Sequence, residues 1–346
     1  MTYKITTDFY QRLQQSRMVA LLITIIGLFL GLWLGINAVT DLMQLEEEAI
    51  FQAKTLTEGR SVVISVDADQ IEMGNENKLI HITGETTVDE IIMDELFQVE
   101  VVNVIKLYRT VQMYQWQEDS DKNYKKVWSE QFINSKKFVS PEQYYNPAMP
   151  FTSKIMVAKQ VILGDFIIPN TFPNKMEHYQ KLPMRGLWRE QDNLRKLFPN
   201  QQINFIDGTY YIGKNSKQPK VGDLKLSFAA VLPEDVSIIA KQSSQLTHYT
   251  TKAGGNIELF EYGIVTSERM FRNARTTLFA KNLRPRLKNI LAIFIGTYII
   301  FHIVWIASPS LLNPDKFQGW LIALIISVAL ALAIIAFSWR DYNLIV

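Results

Sequence analysis

Three uninterrupted apolar runs limit this chain more than any other feature. Residues 18–39, 289–307 and 320–339 contain no Asp, Glu, Lys or Arg. At about 1.5 Å per residue, each run covers most or all of the roughly 30 Å of a bilayer's hydrocarbon core. In water each would be an aggregating patch. In lipid a helix pairs all of its own backbone groups, which would cost several kcal/mol apiece if left unpaired. The sequence therefore predicts a membrane protein with three spanning helices. The first run exceeds the apolar core of a signal peptide, about 7–15 residues, and no small-x-small cleavage site follows it, so it reads as an uncleaved anchor.

The runs divide the chain into a short N-terminus (1–17), a first span (18–39), a large domain (40–288), a second span (289–307), a loop (308–319), a third span (320–339) and a tail (340–346). The large segment is long enough for one sizeable globular domain or two small ones. The chain has no cysteine, which excludes disulfides, thiolate catalysis and Cys-ligated metal. A net charge of +2 points to no nucleic-acid partner. Lys4, Arg12 and Arg17 precede the first span and Asp41, Glu46, Glu47 and Glu48 follow it. This asymmetry places the N-terminus in the cytoplasm and the large domain outside it. The basic residues from Arg269 to Lys288 precede the second span on the side so assigned, but long domains translocate largely regardless of charge.

Within the large domain, "DLMQLEEEAIFQAKTLTEG" is expected to prolong the first helix and to stop at Gly59. Strands are expected at 62–66, 79–84, 99–116, 209–213, 224–231 and 236–241, and helices at 187–198 and 264–283. In the long third strand Ile105, Leu107, Val111 and Met113 share an aliphatic face, and Lys106, Tyr108, Thr110, Gln112, Tyr114 and Trp116 point the other way. The turn "EDSDKN" then leads to "YKKVWSEQF", a hairpin partner whose Tyr124, Trp128 and Phe132 can pair with the aromatic face. The expected fold is α+β: a β-rich extracytoplasmic domain on a three-span α-helical anchor.

The segments "ENKLIHITGE", "VQMYQWQE", "WSEQFINSKKF", "NPAM" and "GDLKLSF", in this order between a first span and later ones, resemble the LUMA family, also called transmembrane protein 43. The resemblance covers nearly the whole chain. Its most specific part is "MYQW" followed by "INSKKF", which marks Tyr114, Trp116, Trp128 and Asn134 as family-motif structural residues. It implies a multi-pass protein with a large lumenal or periplasmic domain. Eukaryotic members reside in the endoplasmic reticulum and inner nuclear membrane, are linked to lamins and emerin, and self-associate; no accepted enzymatic activity attaches to the family. A fourth span is typical of it, whereas this sequence stops at "RDYNLIV", which implies a truncated form or a C-terminus on the opposite side.

The residues themselves offer little catalytic chemistry. His81 and Glu85 lie four apart on an expected strand, about 13 Å, too far for a shared metal, so His81 reads as a strand residue. "DADQIEMGNEN" gathers carboxylates, but Ile71 and Glu72 stand where a calcium loop needs a ligand and a glycine. Phosphate-cradling loops, nucleophile elbows and zinc-helix motifs are missing from the sequence, so no catalytic residue, metal ligand or cofactor is assigned. His302 is the only side chain in the three runs that titrates near neutrality, whereas a proton-coupled carrier ordinarily needs buried carboxylates or lysines. Tyr298 and His302 share a helix face and read as interfacial anchors.

Two features rise above this background. Pro285 suits the first turn of a helix, where exposed amides beside Arg284, Arg286 and Lys288 would attract lipid head-group phosphate; the same charges would also simply stop the helix sliding inward. In the first span, Gly27, Gly31 and Gly35 drift only about 80° over two steps of four and form one groove. Helices in lipid associate by close backbone approach, which glycine permits. The groove can receive a second copy or the third span, where Ala329, Ala331, Ala333 and Ala336 supply small residues.

The sequence thus points to a membrane-anchored scaffold that self-associates or binds partners through its spans and outer domain, in contact with the bilayer and anionic lipid. An oligomeric pore subunit and a membrane-bound lipid-processing enzyme are the alternatives. The outer domain contains no N-x-Ser/Thr acceptor, which favours a bacterial inner membrane with a periplasmic domain over the endoplasmic reticulum or inner nuclear membrane.

Overall fold

The computed structural model describes residues 17–182, 190–307 and 319–343 and separates into two units. One gathers the long helices with residues 250–257; the other holds residues 63–249 and 258–267.

Among the described residues, three helices are long and apolar enough to cross a membrane. Helix α1 (Arg17–Val62) runs unbroken through the first apolar run and beyond it. Gly59 does not end it. A Cβ there would overlap Ile257 Cδ1 and come 3.1 Å from the Phe271 ring, so this glycine serves close packing rather than termination. The last long helices, numbered below after the shorter ones, are Ser267–Ala307 and Gly319–Asn343. The second of the three therefore does not begin at Pro285. The helix starts at Ser267 and carries Pro285 in its interior, where the ring forfeits one hydrogen bond to the carbonyl four residues back. The outer parts of the two longest helices, expected within the large domain, cluster with the spans instead.

The second unit is built from β1 (Ile64–Ser65), β2 (Leu79–Thr87), β3 (Ile91–Asp94), β4 (Val99–Val102), β5 (Lys106–Glu118), β6 (Tyr124–Ser129), β7 (Lys154–Val157), β8 (Val161–Leu163), β9 (Phe166–Ile168), β10 (Tyr179–Lys181), β11 (Ile203–Ile206), β12 (Thr209–Ile212), β13 (Leu224–Val231), β14 (Asp235–Lys241) and β17 (Leu259–Tyr262), whereas the small hairpin of β15 (Tyr249–Thr250) and β16 (Asn256–Ile257) falls, but for Tyr249, in the first unit. Helices α2 (Thr171–Lys175) and α3 (Glu190–Leu197) complete it, so the two long C-terminal helices are α4 and α5. One sheet runs β17-β14-β2-β8-β9 with β1 added to β2. The other runs β11-β12-β13-β5-β6, with β10 on β13 and β7 on β5.

Both sheets face one core. Ile80, Ile82 and Ile238 of the first sheet and Leu107, Val111, Met113, Leu226 and Phe228 of the second lie in a single buried cluster. The alternation read from the long segment explains β5, whose odd-numbered residues from Leu107 to Gln115 are all buried. That segment is nevertheless two strands, because Asn103 adopts φ 54° and turns the chain between β4 and β5. Two charged groups interrupt the aliphatic reading. Arg109, on the core face, donates to Asp94 at 2.7 Å and to the Thr152 carbonyl. Lys106 is 4% exposed; burial lowers its pKa, and its Nζ donates to the carbonyls of Asn174 and Met176.

His81 is a buried residue of β2, bonded through its ring to Ser65 Oγ and the Val265 carbonyl, whereas Glu85 is exposed. In the carboxylate-rich loop, Asp67 accepts from the amide of Asp69 and Glu72 from Asn75, so these groups are engaged locally.

Candidate functional site

The motif residues that lie far apart in the sequence meet around the end of β5. Strand β13 pairs with β5 only as far as Leu224, opposite Met113. Beyond that, the Tyr114 amide bonds the Asp223 carbonyl and the Gly222 amide bonds the Tyr114 carbonyl. At Trp116 the ladder has no strand left on that side, and Asn146 takes its place. Its Oδ1 accepts from the Trp116 amide at 2.7 Å and its Nδ2 donates to the carbonyls of Trp116 and Ile133. A side-chain amide carries the same donor and acceptor as a peptide, so Asn146 continues the sheet by one rung. The Asn146 amide in turn donates to Ser135 Oγ, and the Gln115 side chain bonds the Ile133 amide and the Gln131 carbonyl. Asn134 caps the short turn at Ser135–Lys137 by accepting from the Lys136 amide.

Asn146 is 2% exposed. Asn146→Ala should strand the Trp116 amide and carbonyl and cost about 2 kcal/mol, the range for an unmade buried hydrogen bond. Faster hydrogen exchange at the Trp116 amide checks this.

This clasp organises an aromatic face. Tyr114 and Trp128 are cross-strand partners with ring centroids 5.1 Å apart, and Trp128 meets Tyr211 edge-on. Trp116 meets Tyr144 edge-on at 4.9 Å, and Tyr144 stacks on Tyr124 at 3.6 Å. Lys126 lies over the Trp116 ring and Lys225 over Trp128, at 4.6 and 4.2 Å. Phe132, expected to join this row, is 47% exposed, and Phe138 packs on Tyr124 instead. Burial and the neighbouring Asp223 carboxylate push the Tyr211 hydroxyl well above the ordinary tyrosine range, so it remains a donor. Tyr108 shifts upward through its hydrogen bond to Glu130.

The helical unit carries its own polar centre. Glu46 of α1 is fully buried and accepts from Arg286 Nε at 2.6 Å and Nη2 at 2.8 Å, while Trp339 Nε1 of α5 donates to the same carboxylate at 2.7 Å. Arg286, expected to face lipid head groups, is therefore consumed by an ion pair. Arg284 and Lys288 remain exposed. Since Pro285 lies inside the helix, there is no cluster of free N-terminal amides beside them.

The glycine groove is filled by the helix that the sequence reading passed over. A Cβ on Gly27 would overlap Ile303, and one on Gly31 would come 2.8 Å from Ile300 Cγ1 and 2.9 Å from the Gly296 carbonyl oxygen. Gly296 of α4 answers from the other side, where a Cβ would stand 2.7 Å from the Gly31 oxygen and 3.0 Å from the Gly35 nitrogen. The small residues of α5 have a separate role: Ala331 packs with Ala38 and Leu42 of α1 and Ile293 of α4. Tyr298 and His302 stack along α4 at 5.7 Å.

The profile of the family described as Transmembrane protein 43 matches residues 113–344, from the buried Met113 beside the clasp to the end of α5. The chain belongs to this family. The rat Transmembrane protein 43 is 28% identical over 307 residues, covering 81% of this chain and 74% of its own length; the human protein is 27% identical over the same extent. The fruit-fly homologue is 27% identical over 342 residues, 91% of this chain and 88% of its own. No solved structure matches the chain. Tyr114, Trp116, Trp128 and Asn134, the residues singled out by the sequence resemblance, all lie at the clasp or on its aromatic face. Asn146 and Gly296 were missed, and only the quoted "NPAM" signalled the first.

Proposed function

We propose that this membrane protein of the Transmembrane protein 43 family is an anchored scaffold whose partner-binding surface is the aromatic face of its seven-stranded sheet. The observation that carries the reading is the lysine-covered row of Tyr114, Trp116, Trp128, Tyr124 and Tyr144. Large, stiff aromatic rings with two χ angles lose little entropy on contact and are enriched at binding surfaces. Gly27 and Gly31 of the first span are already engaged within the chain, so the spans serve chiefly as a rigid anchor. The occupant of the sheet face is a second copy of the chain or a protein partner.

The body is assigned to the non-cytoplasmic side: the periplasm of a bacterial inner membrane, or the lumen of the endoplasmic reticulum and inner nuclear envelope. The support is the basic N-terminus and the acidic residues Asp41, Glu47 and Glu48 beyond the first span. Anionic lipid contact falls to the exposed Arg284 and Lys288.

A photo-cross-linking amino acid in place of the exposed Lys126, compared with one at Ile167 in the other sheet, tests the surface in intact membranes. A discrete product from position 126 alone is expected, at twice the chain mass if the partner is a copy. No product from position 126, or equal products from both, would overturn the reading.

A further inference from the structure

Strand β6 is an edge of the seven-stranded sheet, and the hydrogen bonds of β5 fix which of its backbone groups are spent. Tyr114 and Trp116 of β5 turn their amides and carbonyls towards Asp223, Gly222 and Asn146, on the side away from β6. A strand alternates its bonding direction residue by residue, so Met113, Gln115 and Gln117 face β6 and bond Ser129, Val127 and Lys125, their register partners. The intervening Tyr124, Lys126 and Trp128 therefore aim their N–H and C=O groups outward. Among the described residues no strand pairs with that side, and none of these backbone groups has a partner elsewhere in the chain.

The side chains beside this row carry one sign of charge. Lys125 and Lys126 are exposed and make no ion pair among the described residues. The acids around them are occupied: Glu118 accepts from the Tyr124 hydroxyl and the Val139 amide, Glu130 from Tyr108 and Ser153, and Asp223 from Tyr211 and the Lys220 amide. Lys126 lies over Trp116 on the aromatic face, and Lys125, its neighbour in the strand, projects from the opposite face. The other edge strand of this sheet, β11, contains no charged residue.

We propose that β6 captures an extended acidic segment of a partner protein by strand addition: the segment bonds the outward groups of Tyr124, Lys126 and Trp128, sets two successive acids against Lys126 and Lys125, and lays an apolar residue beside Trp128. The inference rests on the aromatic sheet face being the partner surface and names the chemistry of the partner. In strand addition the main-chain bonds supply affinity, and side chains at alternate positions supply specificity. Here the two lysines lie on opposite faces, so adjacent residues of the added strand meet one each. A second copy of β6 is a poor occupant, since pairing about Lys126 opposes like charges, and lysines on an edge guard against self-pairing.

The test is fluorescence anisotropy of a labelled peptide, Ser-Thr-Val-Thr-Glu-Asp-Val-Thr-Ser, titrated with the full chain in lipid nanodiscs, beside a counterpart carrying Lys-Lys in place of Glu-Asp. The acidic peptide is expected to bind at least tenfold more tightly than the basic one, with affinity falling as salt is raised. Lys126→Ala removes one charge, whereas Lys126→Pro also removes the outward N–H, a change that an edge strand tolerates. Lys126→Pro should therefore bind the acidic peptide at least tenfold more weakly than Lys126→Ala. Lys125→Glu with Lys126→Glu should reverse the preference between the peptides. Equal binding of the two peptides by the wild type, or equal binding of the acidic one by folded Lys126→Ala and Lys126→Pro variants, would overturn strand addition. If Lys126→Pro fails to fold, the charge-reversed variant decides, and an unreversed preference there overturns the inference. A cross-link from position 126 without peptide binding refutes strand addition alone, one at twice the chain mass makes the occupant a second copy and also refutes it, and no cross-link refutes the surface itself.

Discussion

Glu46→Ala is expected to destabilise the helical unit by about 3–5 kcal/mol, the cost of removing one partner from a buried ion pair. The variant leaves the Arg286 guanidinium, whose side chain is 11% exposed, without its carboxylate. It also removes the Glu46 carboxylate that accepts from the Trp339 indole N–H. Desolvation explains why the penalty exceeds that of a surface pair, which is typically under about 1 kcal/mol. A double replacement, Glu46→Leu with Arg286→Met, should recover most of the loss, because a packed apolar pair avoids burying either charge. Chemical unfolding in bicelles measures both. An unchanged midpoint for Glu46→Ala would mean that the pair does not form in lipid.

The second large effect is expected from Gly31→Leu. Overpacking ordinarily costs about 1–3 kcal/mol, and this site lies at or above the upper end because one obstacle is the backbone oxygen of Gly296, which cannot rotate aside. Gly296→Leu should be at least as severe, since the Gly31 oxygen and the Gly35 nitrogen are both backbone. Gly35→Ala should be mild by comparison, because a Cβ there meets nothing within 4 Å. The readout is thermal unfolding in detergent at fixed protein concentration. If the variants lowered only the oligomeric mass and left unfolding unchanged, the groove would be serving a second copy rather than α4.

These two sites mark what could be read from the sequence and what could not. The spans were legible because a charge-free run of bilayer length has few other uses. The aliphatic face of β5 was legible because its period-two pattern holds from Leu107 to Gln115 with one charged interruption, Arg109. The partner of the glycine groove was not legible: Gly296 stands alone in its span, and nothing local shows which face it turns to α1. The ion pair was hidden for a related reason. Glu46 sits among Glu47 and Glu48 and resembles an ordinary charged flank, and Arg286 among basic neighbours resembles a stop signal. Only a contact 240 residues away separates each from its neighbours. The same holds for Asn146, which completes a ladder 30 residues upstream. The helix through Pro285 was misjudged because proline's preference for a first turn is a local rule, and packing along the whole length of α4 overrides it.

The separation of Glu46 from Arg286 has a consequence for how the protein is made. A ribosome adding about 5–20 residues per second needs roughly 12–48 s to reach Arg286 after Glu46. Throughout that interval the Glu46 carboxylate lacks the Arg286 guanidinium, and every strand named above is synthesised before it arrives. This buried pair therefore closes only after most of the chain has been made, so its contribution to the helical unit is absent until the arginine arrives.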